Sequence, residues 1–240
     1  MDEHSLHSPH LFDFYTNVVR SKNGHQGNAA FESLRNKLLK DTREIDEQDL
    51  GSGNAASPRT IMSIAATSLS PRWLSAFYAR IIKHFNARII IELGTSLGIN
   101  SLYLAEKKDS SVTTFEGSPA IAEIALLTFE FAGAKNISLI QGNLETTLNN
   151  YLQSVRKIDF ALIDANHRYL PTVKYFERLL PRIHESSVVV VDDIHQSSEM
   201  EKAWKEIRSH RLIYTSLDLF RCGILFFDPS LNKQNVILQF

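Results

Sequence analysis

Ile91-Glu92-Leu93-Gly94-Thr95-Ser96-Leu97-Gly98-Ile99-Asn100 is the stretch whose reading decides the fold. It ends the β-rich run Ile89 to Leu93 and leads into a segment of helix length, so it reads as strand, glycine turn and helix start. Gly94 and Gly98 permit a tight turn and a close approach of a ligand to the backbone. Glu92 closes an otherwise apolar strand, a costly place for an acid unless something pairs with it. The turn is not the G-x-G-x-x-G dinucleotide fingerprint, because Glu92 stands two residues before Gly94. That carboxylate would repel a diphosphate and attract a ligand carrying a cationic amine or sulfonium.

Working outward, further β-rich runs alternate with helical ones: Val112 to Phe115, Ile137 to Ile140, Ile158 to Ile163 and Val188 to Val191. Ser118-Pro119 and Gly133 bracket one intervening helix. Parallel neighbours need long crossovers, so five strands joined by helices imply an α/β fold with a doubly wound, mostly parallel sheet. Leu212 to Ser216 and Gly223 to Phe227 are joined too briefly for a crossover and predict an antiparallel pair, making seven strands with an antiparallel last one.

Upstream, Ser70-Pro71 opens a helix whose Leu74, Phe77, Tyr78, Ile81, Ile82 and Phe85 form one apolar stripe. Leu11, Phe14, Tyr15, Val18 and Val19, and then Phe31, Leu34 and Leu38, recur at helical spacing before the Gly/Ser-rich stretch 51–57. Residues 1–57 hold six basic and nine acidic residues and residues 58–240 twenty and eighteen, so the charge changes sign there. The expected organisation is a helical N-terminal extension, 1–57, and one catalytic domain, 58–240.

Composition removes several classes of function. The chain has 240 residues, 43% of them hydrophobic, and a formal net charge of -1. That balance offers no broad electrostatic surface for nucleic acid, which is not expected as a partner. The lone Cys222 excludes an internal disulfide and a cysteine-rich zinc site. No apolar run approaches the roughly 20 residues of a membrane span, and Met1 to His10 lacks the pattern of a signal peptide, so a cytoplasmic location is expected. His4, His7, His10 and His25 show no regular metal-ligand spacing and read as a solvated segment.

Ligands of open α/β sheets collect at the carboxyl ends of the strands. The second strand ends in Glu116-Gly117-Ser118, an acid placed 22 residues after Gly94 where it can accept from both hydroxyls of a ribose. The third ends in Gln141-Gly142-Asn143, a polar turn suited to an adenine edge; helix capping is the other role open to these residues.

Glu92 to Gly98, Glu116, Gly142-Asn143 and Asp164 resemble the successive motifs of class I S-adenosylmethionine-dependent methyltransferases, over about residues 70 to 228. Asp164-Ala-Asn-His167 after the fourth strand and Asp192-Asp193-Ile-His195 after the fifth are most similar to the cation-dependent catechol and caffeoyl-coenzyme A O-methyltransferases. The resemblance implies a Rossmann-like fold and a cofactor site made by Glu92, Gly94, Thr95, Ser96, Gly98, Asn100, Glu116, Gly117, Gly142, Asn143 and Asp164. It also implies a divalent cation, Mg2+ or another, on Asp164, Asp192 and Asp193.

The sequence departs from that family in two places: Asp193 replaces an amide, and His167 stands where the catechol enzymes carry a base lysine. A histidine titrates near neutrality, so His167, with Asp164, is the candidate catalytic residue. For Asp192 and Asp193, capping the next helix is the alternative to metal binding. His195 either orients substrate, completes a cation site or lies at the surface. The expected reaction is methyl transfer to an oxygen of a small molecule. A nicotinamide-dependent oxidoreductase and a non-catalytic cofactor-binding protein are the rival readings. The first 57 residues would form a lid, an acceptor wall or a homodimer contact.

Overall fold

Runs such as Val188 to Val191 are β-branched and apolar on both faces, which suits a strand buried between two helical layers. The computed structural model, which describes residues 8–21, 27–46 and 58–238, places them at the centre of the sheet. Elements follow in the order α1 (Pro9–Phe14) with a π-helical continuation (Tyr15–Val19), α2 (Ala29–Leu38), β1 (Glu44–Asp46), β2 (Pro58–Thr60), α3 (Ile61–Ser68) and α4 (Arg72–His84). The alternating part comprises β3 (Ile89–Leu93), α5 (Ile99–Leu104), β4 (Ser111–Glu116), α6 (Pro119–Phe131), β5 (Ile137–Gln141), α7 (Leu144–Ser154), β6 (Ile158–Ile163), α8 (Tyr169–Leu179) and β7 (Ile183–Asp192). It ends with α9 (Ser198–Ile207), β8 (Thr215–Asp218), β9 (Cys222–Phe226) and β10 (Gln234–Ile237).

The main sheet has the order β10-β8-β9-β7-β6-β3-β4-β5. β3 to β7 are mutually parallel, and β9 runs antiparallel between β7 and β8. The seven strands expected from sequence are present. The sixth begins at Thr215 rather than Leu212, and β10 adds an eighth, parallel to β8. Chain order reverses between β3 and β6, which makes their carboxyl ends the switch point where a crevice must open.

The α4 stripe is buried as expected, with Leu74, Phe77, Tyr78 and Ile81 all 0% exposed. Each such side chain contributes roughly 1.5–3 kcal/mol of burial. Leu11, Phe14, Tyr15, Val18 and Val19 join this same core, against α4 and sheet residues such as Ile224 and Phe226. α2 lies on α5: Phe31 meets Tyr103 edge to face, and the Tyr103 hydroxyl donates to Glu32 at 2.8 Å. α1 and its continuation thus share the core of the sheet, whereas Leu38 of α2 packs in a second cluster with residues of α3, α5 and α6. The expected boundary stretch 51–57, His4, His7 and His25 lie outside the described residues. Among the described residues, no helix is long and apolar enough to cross a membrane.

Candidate active site

At the switch point the chain leaves β3 through Gly94 (φ 103) and Ser96 (φ 49), and leaves β6 through Asn166 (φ 68) and His167 (φ 43). Asp193 (φ 55), after β7, and Phe220 (φ 64), between β8 and β9, adopt the same left-handed backbone. Side-chain-bearing residues enter this region at a cost, and they gather here at one end of the sheet. The strand ends surround a cavity of about 660 Å3, within the size range of small-molecule sites. Arg59, Thr67, Ser68 and Leu69, from β2 and α3 through the loop that follows, close its other side.

The residues expected to bind cofactor fall into two layers. Gly94, Ser96, Glu116, Gly117, Asn143 and Asp164 line the cavity. Glu116 is held by two backbone amides, Ser96 N–H donating to Oε2 at 2.9 Å and Ser118 N–H to Oε1 at 3.0 Å. Asn143 lines the cavity and also caps α7, its Oδ1 accepting from Glu145 N–H at 2.8 Å, so the capping role read from sequence is present and leaves the residue at the cavity wall. A carboxylate acceptor fixed by backbone and a negative wall of Glu145 and Asp164 suit a ribose and a sulfonium, so the residues present fit S-adenosylmethionine.

Glu92, Thr95, Gly98, Asn100 and Gly142 form the layer beneath and do not line the cavity. Glu92 is 0% exposed and accepts from Asn100 Nδ2 (2.9 Å), Thr114 Oγ1 (2.6 Å) and Ser101 Oγ. The partner that its placement required is internal: Glu92 ties β3 to β4 and α5. Thr95 and Thr114 share a hydroxyl hydrogen bond at 2.6 Å, Gly98 lies against Phe129, and Gly142 N–H donates to the Glu116 carbonyl.

Burial pushes the Glu92 carboxyl up to about 7 from an ordinary 4.5, against the opposing hydrogen bonds. The protonated form therefore favours the folded state. That stability is full below about pH 4.5 and is lost as pH rises through about 7. Glu92 should account for roughly 3 kcal/mol of the stability that urea unfolding loses across this window, Asp164 and Asp192 adding to the wild-type slope, so Glu92→Gln should flatten that slope in part. A variant with the wild-type slope would place the titration elsewhere.

The acceptor end of the cavity holds Asp164, His167 and Asp193, one ligand atom of each lying within 4.8 Å of the others. His167 Nε2 faces Asp164 Oδ1 at 3.5 Å, and Nδ1 faces Asp193 Oδ2 at 3.7 Å. The ring therefore stands between two carboxylates with a different nitrogen toward each. An ion bound by histidine takes one nitrogen, and one atom each of Asp164, His167 and Asp193 lie close enough together to hold a cation. The arrangement suits proton exchange as well.

Asp192 is 1% exposed, with Oδ1 accepting from Asp193 N–H at 2.8 Å. Burial pushes its carboxyl well up, with Asp164 and Asp193 adding repulsion. Burial, followed by the charges of Asp193 and Glu92, pushes Asp164 up to about 7. His195 points away from this cluster, paired with Asp218 at 3.0 Å and stacked on Phe220.

Sequence reasoning missed Arg221, whose Nη2 lies 3.0 Å from Asp193 Oδ1 and whose Nε lies 3.8 Å from Asp192 Oδ1. The antiparallel register pairs Asp192 with Cys222, so the next step outward sets Asp193 opposite Arg221. That register, drawn from the two apolar runs, was the available signal.

A family model described as a methyltransferase domain matches residues 91–194. A search of curated proteins finds no match. Among solved structures, the chain resembles the O-methyltransferase from Bacillus cereus in complex with S-adenosylhomocysteine, at 17% identity over 89% of this chain and 96% of that one (TM-score 0.63). It also resembles the O-methyltransferase TomG from Streptomyces achromogenes, involved in tomaymycin synthesis and in complex with S-adenosylmethionine (16% identity, 95% and 99% covered, TM-score 0.64). S-adenosylhomocysteine-bound methyltransferase PaMTH1 from Podospora anserina aligns at 15% identity over 82% of this chain and 94% of that one (TM-score 0.60). The segment matched by the methyltransferase-domain model runs from the Glu92 turn to the acids after β7 and supplies most of the residues that line the cavity, and the chain shares the fold of these methyltransferases.

Proposed function

We propose that this chain methylates a hydroxyl oxygen of a small molecule, using His167 as the base. The observation that carries this reading is the position of His167, one ring nitrogen toward Asp164 and the other toward Asp193. S-adenosylmethionine supplies an electrophilic methyl carbon and leaves as a neutral thioether. Glu116 would hold its ribose, with Asn143 and Gly117 beside the base, as the lining of the cavity supports.

A hydroxyl is a poor nucleophile until its proton is removed, and an imidazole can take that proton near neutral pH. The flanking Asp164 and Asp193 fix the ring's orientation. Backbone held in the left-handed region at Asn166 and His167 aims the side chain into the cavity before any acceptor arrives. That Bacillus cereus O-methyltransferase and TomG share this fold supports an oxygen acceptor.

The test is formation of S-adenosylhomocysteine with a panel of phenols, vicinal diols and amines. Turnover with hydroxylated acceptors is expected. Turnover confined to amines would contradict the oxygen assignment, and silence with every hydroxylated compound would count against catalysis. Glu116→Gln should weaken donor binding by about 10- to 100-fold in calorimetry, the cost of one charge-assisted contact. Unchanged affinity would remove Glu116 from the ribose site.

A further inference from the structure

Arg221 is the one strongly basic group placed against the acids at the acceptor end of the cavity among the described residues. Its position is built rather than incidental. The turn that carries it is anchored from below by buried Asp218, whose carboxylate accepts from Trp204 Nε1 at 2.9 Å, from Phe220 N–H at 3.0 Å and lies 3.0 Å from His195 Nε2. Phe220 adopts φ 64, and Arg221 N–H donates to the Leu219 carbonyl at 2.7 Å, a tight turn that a flexible surface arginine would not need. Opposite it, Asp193 is also in the left-handed region, its amide tied to Asp192.

We infer that the Arg221 guanidinium is the fixed cation of this cluster, holding Asp193 and Asp192 in place beside His167 and making methyl transfer independent of a divalent ion. The inference rests on the proposed transfer and deepens it. A guanidinium spans two carboxylates as a point ion does, and unlike a metal it is never lost to dilution or chelation. A divalent ion bound among the same acids would lie against a positive charge it cannot displace without breaking the Asp193 contact. Arg221 is a positioning residue: it acts through Asp193 on the base.

The test is manganese(II) titration of the full chain by calorimetry, with S-adenosylmethionine titrated into the same preparations. The wild type should take up no stoichiometric manganese up to about millimolar concentration, and Arg221→Gln should gain a site about tenfold tighter or more. Arg221→Lys keeps the charge and should behave as the wild type. Wild-type turnover should survive a chelator, whereas Arg221→Gln should lose about tenfold or more and regain part of it with manganese. Manganese binding to the wild type that Asp193→Asn removes overturns the inference, and so does a folded Arg221→Gln protein that gains none. The wild-type titration decides the matter even if the variant fails to fold. Donor binding separates the two claims: a wild type that binds both S-adenosylmethionine and manganese contradicts only the role of Arg221, and one that binds no donor contradicts the transfer itself.

Discussion

Turnover of a His167→Gln variant should fall by about 10²–10⁴-fold, the usual worth of a positioned general base, with donor affinity within about threefold of the wild type. Glutamine fills much of the imidazole volume and hydrogen-bonds to carboxylates, but it cannot accept a proton. The loss should therefore appear in kcat. Two geometric facts make this the residue with the largest expected catalytic effect. The ring lines the cavity, and each of its nitrogens faces a different acid, at 3.5 and 3.7 Å. The ring is thus held in one orientation at the cavity wall. If His167 were only a loop-stabilising residue, the variant would lose thermal stability and keep its rate per folded molecule. Measuring Tm, donor affinity and kcat on one preparation distinguishes the two.

Gly94→Ala should be the most damaging single methyl group in the molecule. A Cβ at Gly94 would lie 2.1 Å from the backbone oxygen of Asp164, and its φ of 103 is one that side-chain-bearing residues avoid. Neither strand end can retreat, because Asp164 N–H donates to the Leu93 carbonyl at 2.9 Å and Gly94 N–H to the Phe115 carbonyl at 3.2 Å. The clash and the strained backbone together cost about 3 kcal/mol or more, a fall in Tm of roughly 10 °C for a chain of this size. Donor binding should be lost as well, since β3 and β6 separate where the cavity begins. Gly133→Ala supplies the control. Gly133 also has positive φ, 64, and an added Cβ meets nothing within 4 Å. Its cost should be confined to the backbone, about 1 kcal/mol. Equal losses in the two variants would show that backbone conformation, not the contact with Asp164, makes Gly94 necessary.

The sheet was legible in the sequence where burial is two-sided. Ile89 to Leu93, Ile158 to Ile163 and Val188 to Val191 are almost wholly buried, so their apolar runs carry the pattern directly. At the other edge the pattern weakens. Gln234–Ile237 has one buried residue, Val236, and becomes a strand through its pairing with β8, which no local run announces. β8 extends to Asp218 because the Asp218 carboxylate is fully engaged by Trp204, His195 and the Phe220 amide, a tertiary compensation invisible along the chain.

The site divides in the same way. Acids at successive strand ends follow from topology, and Glu116, Asp164 and Asp193 do meet one cavity. Glu92 was legible as an acid in need of a partner, but the identity of that partner was not. Asn100 and Ser101, a helix turn away, and Thr114, on the next strand, supply it. Arg221 required the register of β7 with β9, a relation between segments about 30 residues apart.

The central claim is that this cavity holds S-adenosylmethionine with Glu116 on its ribose. Calorimetric titration of the wild type and Glu116→Gln with S-adenosylmethionine, with NADH as a parallel ligand, tests it most directly. Saturable donor binding by the wild type, weakened about tenfold or more in the variant, with no heat from NADH, is the predicted result. Saturable NADH binding without any response to S-adenosylmethionine would contradict it.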